Sequence, residues 1–491
     1  MSSMLRGILK SSSRVIPLVG RILPRVSRRD ILWFLCILST VLLSVFVRIL
    51  PLKWGFTMNE FDPYFNYEVT KYVVDNGFTS FVKWYTYRAW YPFGRDIGHS
   101  SFPGLPFTGA LLYHFITALG FSVTVMDVCI IFPVLMGAVT CIVAYYFGKE
   151  VAGKGVGLLS ALFIALSPAH IGRTILGFYD TETVGILGSL LAFLFYLRSL
   201  DQTKKWQVSL GYAIASGLSL GWVFASWGAS RYPLSLLALF TFILLIVGRY
   251  SRRLLTSYGA LMGVGLAIAV SIPKLGLYFM MEFEGVVAVG VFLLLLMKEA
   301  VQRLKSYRGR VVFTTLFLSI SGLAMIVLWH FGFVSLPLGK FMSVINPFER
   351  INIPLVESVQ EHRPATWSSF YYQFGILVFL APLGIIFVFQ KLTNEKLFLT
   401  TYFLTTLYFS ASMIRLTIIM APALCVLGAL AMVEILRPFA DIATQRSFTR
   451  RRIRLFPKIG KGFGLIFITC LFVLTVWPLL KGIDSAYAPN G

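Results

Sequence analysis

Acidic side chains are scarce in this sequence, with 21 Asp and Glu against 44 Lys and Arg in 491 residues. A carboxylate beside a long apolar run costs stability and usually carries a task. Cysteine is equally sparse. Cys36, Cys129, Cys141, Cys425 and Cys470 all lie inside apolar segments, which excludes a disulfide framework or a zinc site and marks them as small buried hydrophobes. No Gly-, Ser- or Gln-rich linker divides the chain, which argues against an attached soluble domain. Trp-Trp pairs are absent altogether.

Apolar residues are what is abundant. The chain is 57% hydrophobic and only 13% charged, with a mean hydropathy of +0.78. A soluble domain of this length could not hide that surface, so the composition predicts an all-α, polytopic membrane protein. The formal net charge of +23 falls in short clusters between apolar runs, the pattern of cytoplasmic loops beside anionic lipid. A continuous basic face for nucleic acid is excluded by that distribution. Lys10, Arg14, Arg21, Arg25, Arg28 and Arg29 precede the first run without a small-residue cleavage site. Residues 1–30 therefore read as a cytoplasmic segment before an uncleaved anchor.

Spans are expected at 31–50, 125–147, 156–176, 183–199, 207–226, 232–249, 254–273, 276–297, 311–334, 370–390, 396–412, 414–436 and 462–480. The stretch 106–121 is short and interrupted by Thr108, Tyr113, His114 and Thr117. If it does not cross, every basic cluster falls on one side: Lys149/Lys154, Arg198/Lys204/Lys205, Arg249/Arg252/Arg253, Lys298 to Arg310, Lys391/Lys396 and Arg446 to Lys461. Counting it as a span places all of them outside. The positive-inside rule thus gives about thirteen spans, N-terminus in and C-terminus out.

That topology puts scattered polar residues on the outer face. Asp62 follows the first span; as the residue before Pro63 it could simply cap a helix. Asp180 and Glu182 lie two apart on a turn, where both can reach a hard divalent cation, although helix-start carboxylates are common without one. Arg173, at the end of a span, could merely snorkel to the interface. Arg415 breaks an apolar run, and near hydrocarbon it needs an anionic partner: a lipid phosphate or one of the acids. Trp227 joins them on that face. The long loop from Leu336 to Ser369 carries Glu361, His362 and Trp367. Long structured loops are more often functional than decorative.

Assembled, these residues resemble the catalytic subunit of oligosaccharyltransferases, over about residues 30 to 485. The motifs are Glu60-Phe61-Asp62-Pro63 with Phe65-Asn66-Tyr67, Tyr91-Pro92-Phe93-Gly94-Arg95, Arg173 with Tyr179-Asp180-Thr181-Glu182, Trp227-Gly228, Ser358-Val359-Gln360-Glu361-His362 through Trp367, and Arg415-Leu416. The resemblance implies a GT-C type membrane domain over 31–485 and transfer of a glycan from a lipid-linked (pyro)phosphate, such as a dolichyl carrier, to asparagine in Asn-x-Ser/Thr. By that resemblance Asp62, Asp180 and Glu182 hold Mn²⁺ or Mg²⁺, Arg173 and Arg415 contact the donor phosphates, and Trp227 lines the donor site. Asp62 and Glu361 engage the acceptor amide, with His362 and Trp367 in the acceptor loop. The catalytic face would be extracytoplasmic, in the endoplasmic reticulum or an archaeal cell membrane. The family's soluble domain, with its Trp-Trp-Asp motif, is expected to be absent, which leaves room for a separate soluble chain or accessory subunits. Three rivals stand beside this reading: another lipid-phosphate-sugar glycosyltransferase, a flippase or transporter, and a non-catalytic scaffold.

Overall fold

A computed structural model of the protein describes residues 27–334, 346, 358–443 and 461–487. Most of the basic N-terminal segment, the proline-rich part of the long loop and the basic run after Arg446 lie outside the described residues. The first span is α1 (Arg28–Arg48), whose Ser27 cap accepts a hydrogen bond from the Asp30 amide. Two shorter helices follow on one side of the bundle, α2 (Phe61–Asn76) and α3 (Gly104–Ala118). Between them Tyr85–Thr86 pairs antiparallel with Arg95–Asp96, and Tyr72 stacks on Trp84 with ring centroids 3.9 Å apart. At 15 residues, α3 is about 22 Å long, too short for a hydrocarbon layer of about 30 Å.

The remaining long helices are α4 (Val125–Ala152), α5 (Lys154–Leu166), α6 (Glu182–Ser199), α7 (Trp206–Ser226), α8 (Arg231–Ile246), α9 (Arg252–Ser271), α10 (Phe283–Arg303) and α11 (Tyr307–His330). They continue with α12 (Trp367–Phe374), α13 (Leu377–Gln390), α14 (Asn394–Ser412), α15 (Thr417–Ala443) and α16 (Lys461–Tyr487). A reciprocal box starts α4: Thr124 Oγ1 accepts from the Asp127 amide, and Asp127 accepts from the Thr124 amide. Helices α6 and α15 form the interior, with 83% and 89% of their apolar windows buried. The opposite extreme is α11, which buries none of its residues.

The described residues thus form a polytopic, all-α membrane protein. Eight helices are long and apolar enough to cross a membrane, or nine if α12 and α13, bent by 84°, make one span. The other expected positions, α5, α10, α14 and α16, carry helices that fall outside that set. The clearest difference lies at 156–176. There α5 stops at Leu166, a four-residue helix covers Pro168–Ile171, and an irregular turn leads on to Arg173. Pro168 cannot continue the hydrogen-bond ladder of α5, and Ser167, His170 and Thr174 bring polar groups where a span needs apolar ones. The cysteines differ too. Cys129, Cys141 and Cys425 are buried as expected, whereas Cys36 and Cys470 are exposed on α1 and α16; all five are free.

Three chain segments meet at the head of α6. The Asn59 amide donates to the Gly177 carbonyl at 3.1 Å, and the Gly177 amide donates to the Ile130 carbonyl at 3.0 Å. Gly177 has φ +84, and a Cβ there would stand 2.3 Å from the Thr57 carbonyl oxygen. Gly177→Ala is therefore expected to destabilise the protein by roughly 2 kcal/mol or more, through both backbone strain and the clash. Thermal denaturation in detergent checks this; an unchanged midpoint would mean that the seam is not fixed by Gly177.

Candidate functional site

Asp180 and Glu182 flank the first turn of α6. Behind them Tyr179 is fully buried, edge-on to Phe132 at 5.2 Å, and its hydroxyl donates to the Leu105 carbonyl at 3.1 Å. That anchor fixes the turn. Asp180 accepts at Oδ1 from the Thr181 amide at 2.6 Å and from Asn66 Nδ2 at 3.2 Å. Its carboxyl contacts that of Glu182. Burial, followed by the charge of Glu182, pushes the Asp180 pKa well above the usual carboxylate range, and Asp62 adds a smaller push. Buried beside Glu182, Asp180 favours its protonated form unless a cation joins the pair.

The arginines close around Glu182. Arg415, in the short turn between α14 and α15, donates through Nη2 to Glu182 Oε1 at 3.1 Å, and its Nε lies 3.9 Å from Glu361 Oε2. Arg173 Nη2 donates to Glu361 Oε1, and the Arg173 guanidinium lies over the Phe178 ring at 5.2 Å. Backbone bonds set this meeting. The Ala365 amide donates to the Ala411 carbonyl, and the Ile414 amide donates to the Arg363 carbonyl, which ties the long loop to the turn bearing Arg415. Residues 173, 182, 361 and 415 thus form one charged chain, although their positions span more than 240 residues of sequence.

Asp62 is exposed at the first turn of α2, where the helix dipole favours a carboxylate. It does not cap the helix. The cap position belongs to Glu60, held at φ 63 and ψ 177 with no side-chain capping bond, so the Asp62 carboxylate remains unspent on the backbone. A non-glycine residue in that conformation costs of order 1–3 kcal/mol, and such strain clusters at functional sites. Glu60 is itself part of the cluster: burial raises its pKa, and Arg173, Glu361, Asp62 and Glu182 all act on it.

The other expected residues are placed less centrally. Trp227 is buried at the end of α7 with its ring against Gly185, one turn into α6. His362 lies next to Glu361 and is half-buried. Trp367 is exposed at the start of α12, 6.4 Å from the Phe370 ring centroid. Among the described residues no three His, Cys, Asp or Glu side chains converge as a ready-made metal cage. The Asp180–Glu182 pair nonetheless has the oxygen-donor chemistry of a hard-cation site, and Asp62 is near enough to act on it electrostatically. Sequence reasoning gave Glu60 no role of its own and passed over Arg48. Glu60 lay two residues from Asp62, and Arg48 ended an apolar run with the same cost that drew attention to Arg415.

Comparisons with known proteins bear on the family and the fold. The family described as "Oligosaccharyl transferase STT3, N-terminal" matches residues 31–428. The subunit STT3B of a dolichyl-diphosphooligosaccharide–protein glycosyltransferase from Oryza sativa subsp. japonica is 36% identical over 389 residues, covering 77% of this chain and 53% of its own length. The STT3 subunit of Saccharomyces cerevisiae is 31% identical, covering 86% of this chain and 60% of the yeast protein. The chain spans about half the length of the curated relatives it matches. In fold it is similar to the archaeal oligosaccharyltransferase AglB from Archaeoglobus fulgidus, solved with an inhibitory peptide and a dolichol-phosphate. That comparison has a TM-score of 0.72 and 17% identity, and it covers 94% of this chain and 56% of that one. With its matched family region covering most of its length and relatives above 30% identical over three quarters of it, the chain belongs to the STT3 oligosaccharyltransferase family.

Proposed function

We propose that this protein transfers an oligosaccharide from a lipid-linked (pyro)phosphate to the side-chain amide of asparagine in Asn-x-Ser/Thr segments. The observation that carries the reading is the Arg173–Glu361–Arg415–Glu182 chain. Two guanidiniums side by side, at the margin of a membrane, form a receptor for phosphate oxygens. Glu361 stands between them where such an anion would bind. Donor phosphate would displace it, freeing the carboxylate for the acceptor.

An amide nitrogen is a poor nucleophile because its lone pair is delocalised into the carbonyl. Asp62 and Glu361 would each accept one of its N–H bonds, twisting the amide and localising the pair. The new bond forms from nitrogen to the anomeric carbon as the carbon–oxygen bond to phosphate breaks, inverting that centre. The leaving oxygen keeps the bonding electrons, and one amide proton passes to a carboxylate. Arg173 and Arg415 would stabilise the charge gathering on the departing phosphate, an electrostatic effect strongest where water is excluded. Asp180 and Glu182, joined by Asp62, would hold Mn²⁺ or Mg²⁺, which supplies Lewis-acid stabilisation of the same oxygens. Trp227, packed under the turn, would support the donor side, with His362 and Trp367 toward the acceptor.

The proposed topology has thirteen spans, the N-terminus in the cytoplasm and the acids on the outer face of the endoplasmic reticulum or an archaeal cell membrane. The ion pairs joining residues 173, 182, 361 and 415 support a shared face for those loops. Incubating the protein in its native membranes with Mn²⁺, a dolichyl-diphosphate oligosaccharide and an Asn-Ala-Thr peptide tests the reaction. A glycopeptide mass is expected from that peptide and none from its Gln-Ala-Thr counterpart. Glycan transfer to a lipid-linked sugar acceptor alone would overturn the reading.

A further inference from the structure

Arg48 closes α1 and is wholly buried, yet no carboxylate pairs with it among the described residues. Its guanidinium is held by neutral groups. Nε donates to Thr174 Oγ1 at 2.8 Å. Nη1 donates to Ser44 Oγ at 2.7 Å and to the Ala165 carbonyl at 2.9 Å, and Nη2 lies 2.8 Å from His170 Nδ1. A guanidinium without a counter-charge is costly in a dry interior, where each N–H needs an acceptor.

Outside α1, every one of these partners lies on the segment running from the end of α5 to Thr174, the residue after Arg173. Thr174 Oγ1 passes the bond on to the His170 carbonyl at 2.6 Å, and the Leu176 amide donates to the carbonyl of Arg48 itself at 3.0 Å. Side chain and backbone of one residue therefore grip the irregular turn on both sides of Arg173. Helix α4 makes room for the grip: a Cβ on Gly137 would stand 2.5 Å from Arg48 Nε. The planar fork serves acceptors in several directions at once, which a lysine ammonium in the same place cannot do.

We propose that Arg48 is a positioning residue that aims Arg173, and through it sets the affinity of the site for the donor phosphate. The inference rests on the reading of Arg173 as a phosphate ligand. Because Arg48 is buried, it acts on the donor only through the turn.

Steady-state kinetics of the full-length protein in nanodiscs, with dolichyl-diphosphate oligosaccharide as donor and the Asn-Ala-Thr peptide as acceptor, test it on Arg48→Lys, Thr174→Val and Arg173→Ala. Arg48→Lys and Thr174→Val should each raise the donor KM about tenfold, with acceptor KM held within about twofold and no loss of kcat beyond that of Arg173→Ala. Combining Arg48→Lys with Arg173→Ala should cost no more donor affinity than Arg173→Ala alone, since both act through one guanidinium. Thr174→Val is close to isosteric and carries the test if Arg48→Lys does not fold. Full additivity in the double variant, or an unchanged donor KM in the two positioning variants while Arg173→Ala raises it, overturns the inference and leaves the phosphate reading standing. An unchanged donor KM in Arg173→Ala sinks the phosphate reading and the inference with it.

Discussion

Alanine at Asp62 is expected to lower glycan transfer by about 10²–10⁴-fold while leaving the melting temperature nearly unchanged. The two halves of that expectation have separate grounds. Asp62 is exposed on the first turn of α2 and accepts no capping bond, so the fold gains little from its side chain. The strained Glu60 backbone beside it, by contrast, directs the segment toward the arginine cluster at an energetic cost. On the proposed reading, a carboxylate that contributes little to the fold but is held at such cost serves the reaction. Single-turnover transfer to the Asn-Ala-Thr peptide, alongside a thermal melt, separates the alternatives. A large loss of stability with activity preserved in the surviving fraction would return Asp62 to a structural role.

Metal-free protein is expected to become less stable as the pH rises, and a divalent cation should reverse that trend. Asp180 has a folded-state pKa raised by burial and by Glu182. The folded state therefore binds the Asp180 proton more tightly than the unfolded chain does. The stability this gives is fully present below the ordinary Asp value of about 3.9 and is lost as pH rises through the higher folded value. Once Asp180 ionises, the pair carries two charges in one buried pocket. Mn²⁺ at about a hundred times its dissociation constant should stabilise the protein by roughly 2.7 kcal/mol, more visibly at pH 8 than at pH 5. Asp180→Asn should flatten the pH profile and abolish the response to metal. A melt indifferent to Mn²⁺ across that range would remove the cation from the site.

Much of this arrangement is legible in the sequence, because hydrocarbon makes charge expensive. Arg415 breaks an apolar run, and the same cost places it against Glu182 in the structure. The acids Asp180 and Glu182 stand out for the same reason. Where sequence reasoning fell short, short-range geometry was decisive. An Asp-Pro pair suggested a cap at Asp62, but the helix begins two residues earlier than that cap implies and the cap position passes to Glu60. A uniform span was expected at 156–176, yet Ser167-Pro168 stops α5 and frees the turn that presents Arg173. The grip of Arg48 on that turn depends on partners more than a hundred positions away, a distance at which no periodicity speaks.

Helix α11 stands at the other end of the scale. Among the described residues its closest packing is with α10, and no residue between Tyr307 and His330 is buried. Selection there acts on oiliness and length, with little hold on side-chain shape. Leucine, isoleucine, valine and phenylalanine are interchangeable along its middle turns, whereas one aspartate or lysine midway costs about 3 kcal/mol of membrane insertion. Relatives should therefore drift freely in the wording of this segment while keeping its solubility in fat. The turn at Arg173, where single hydroxyls and one glycine are already committed, has no such freedom.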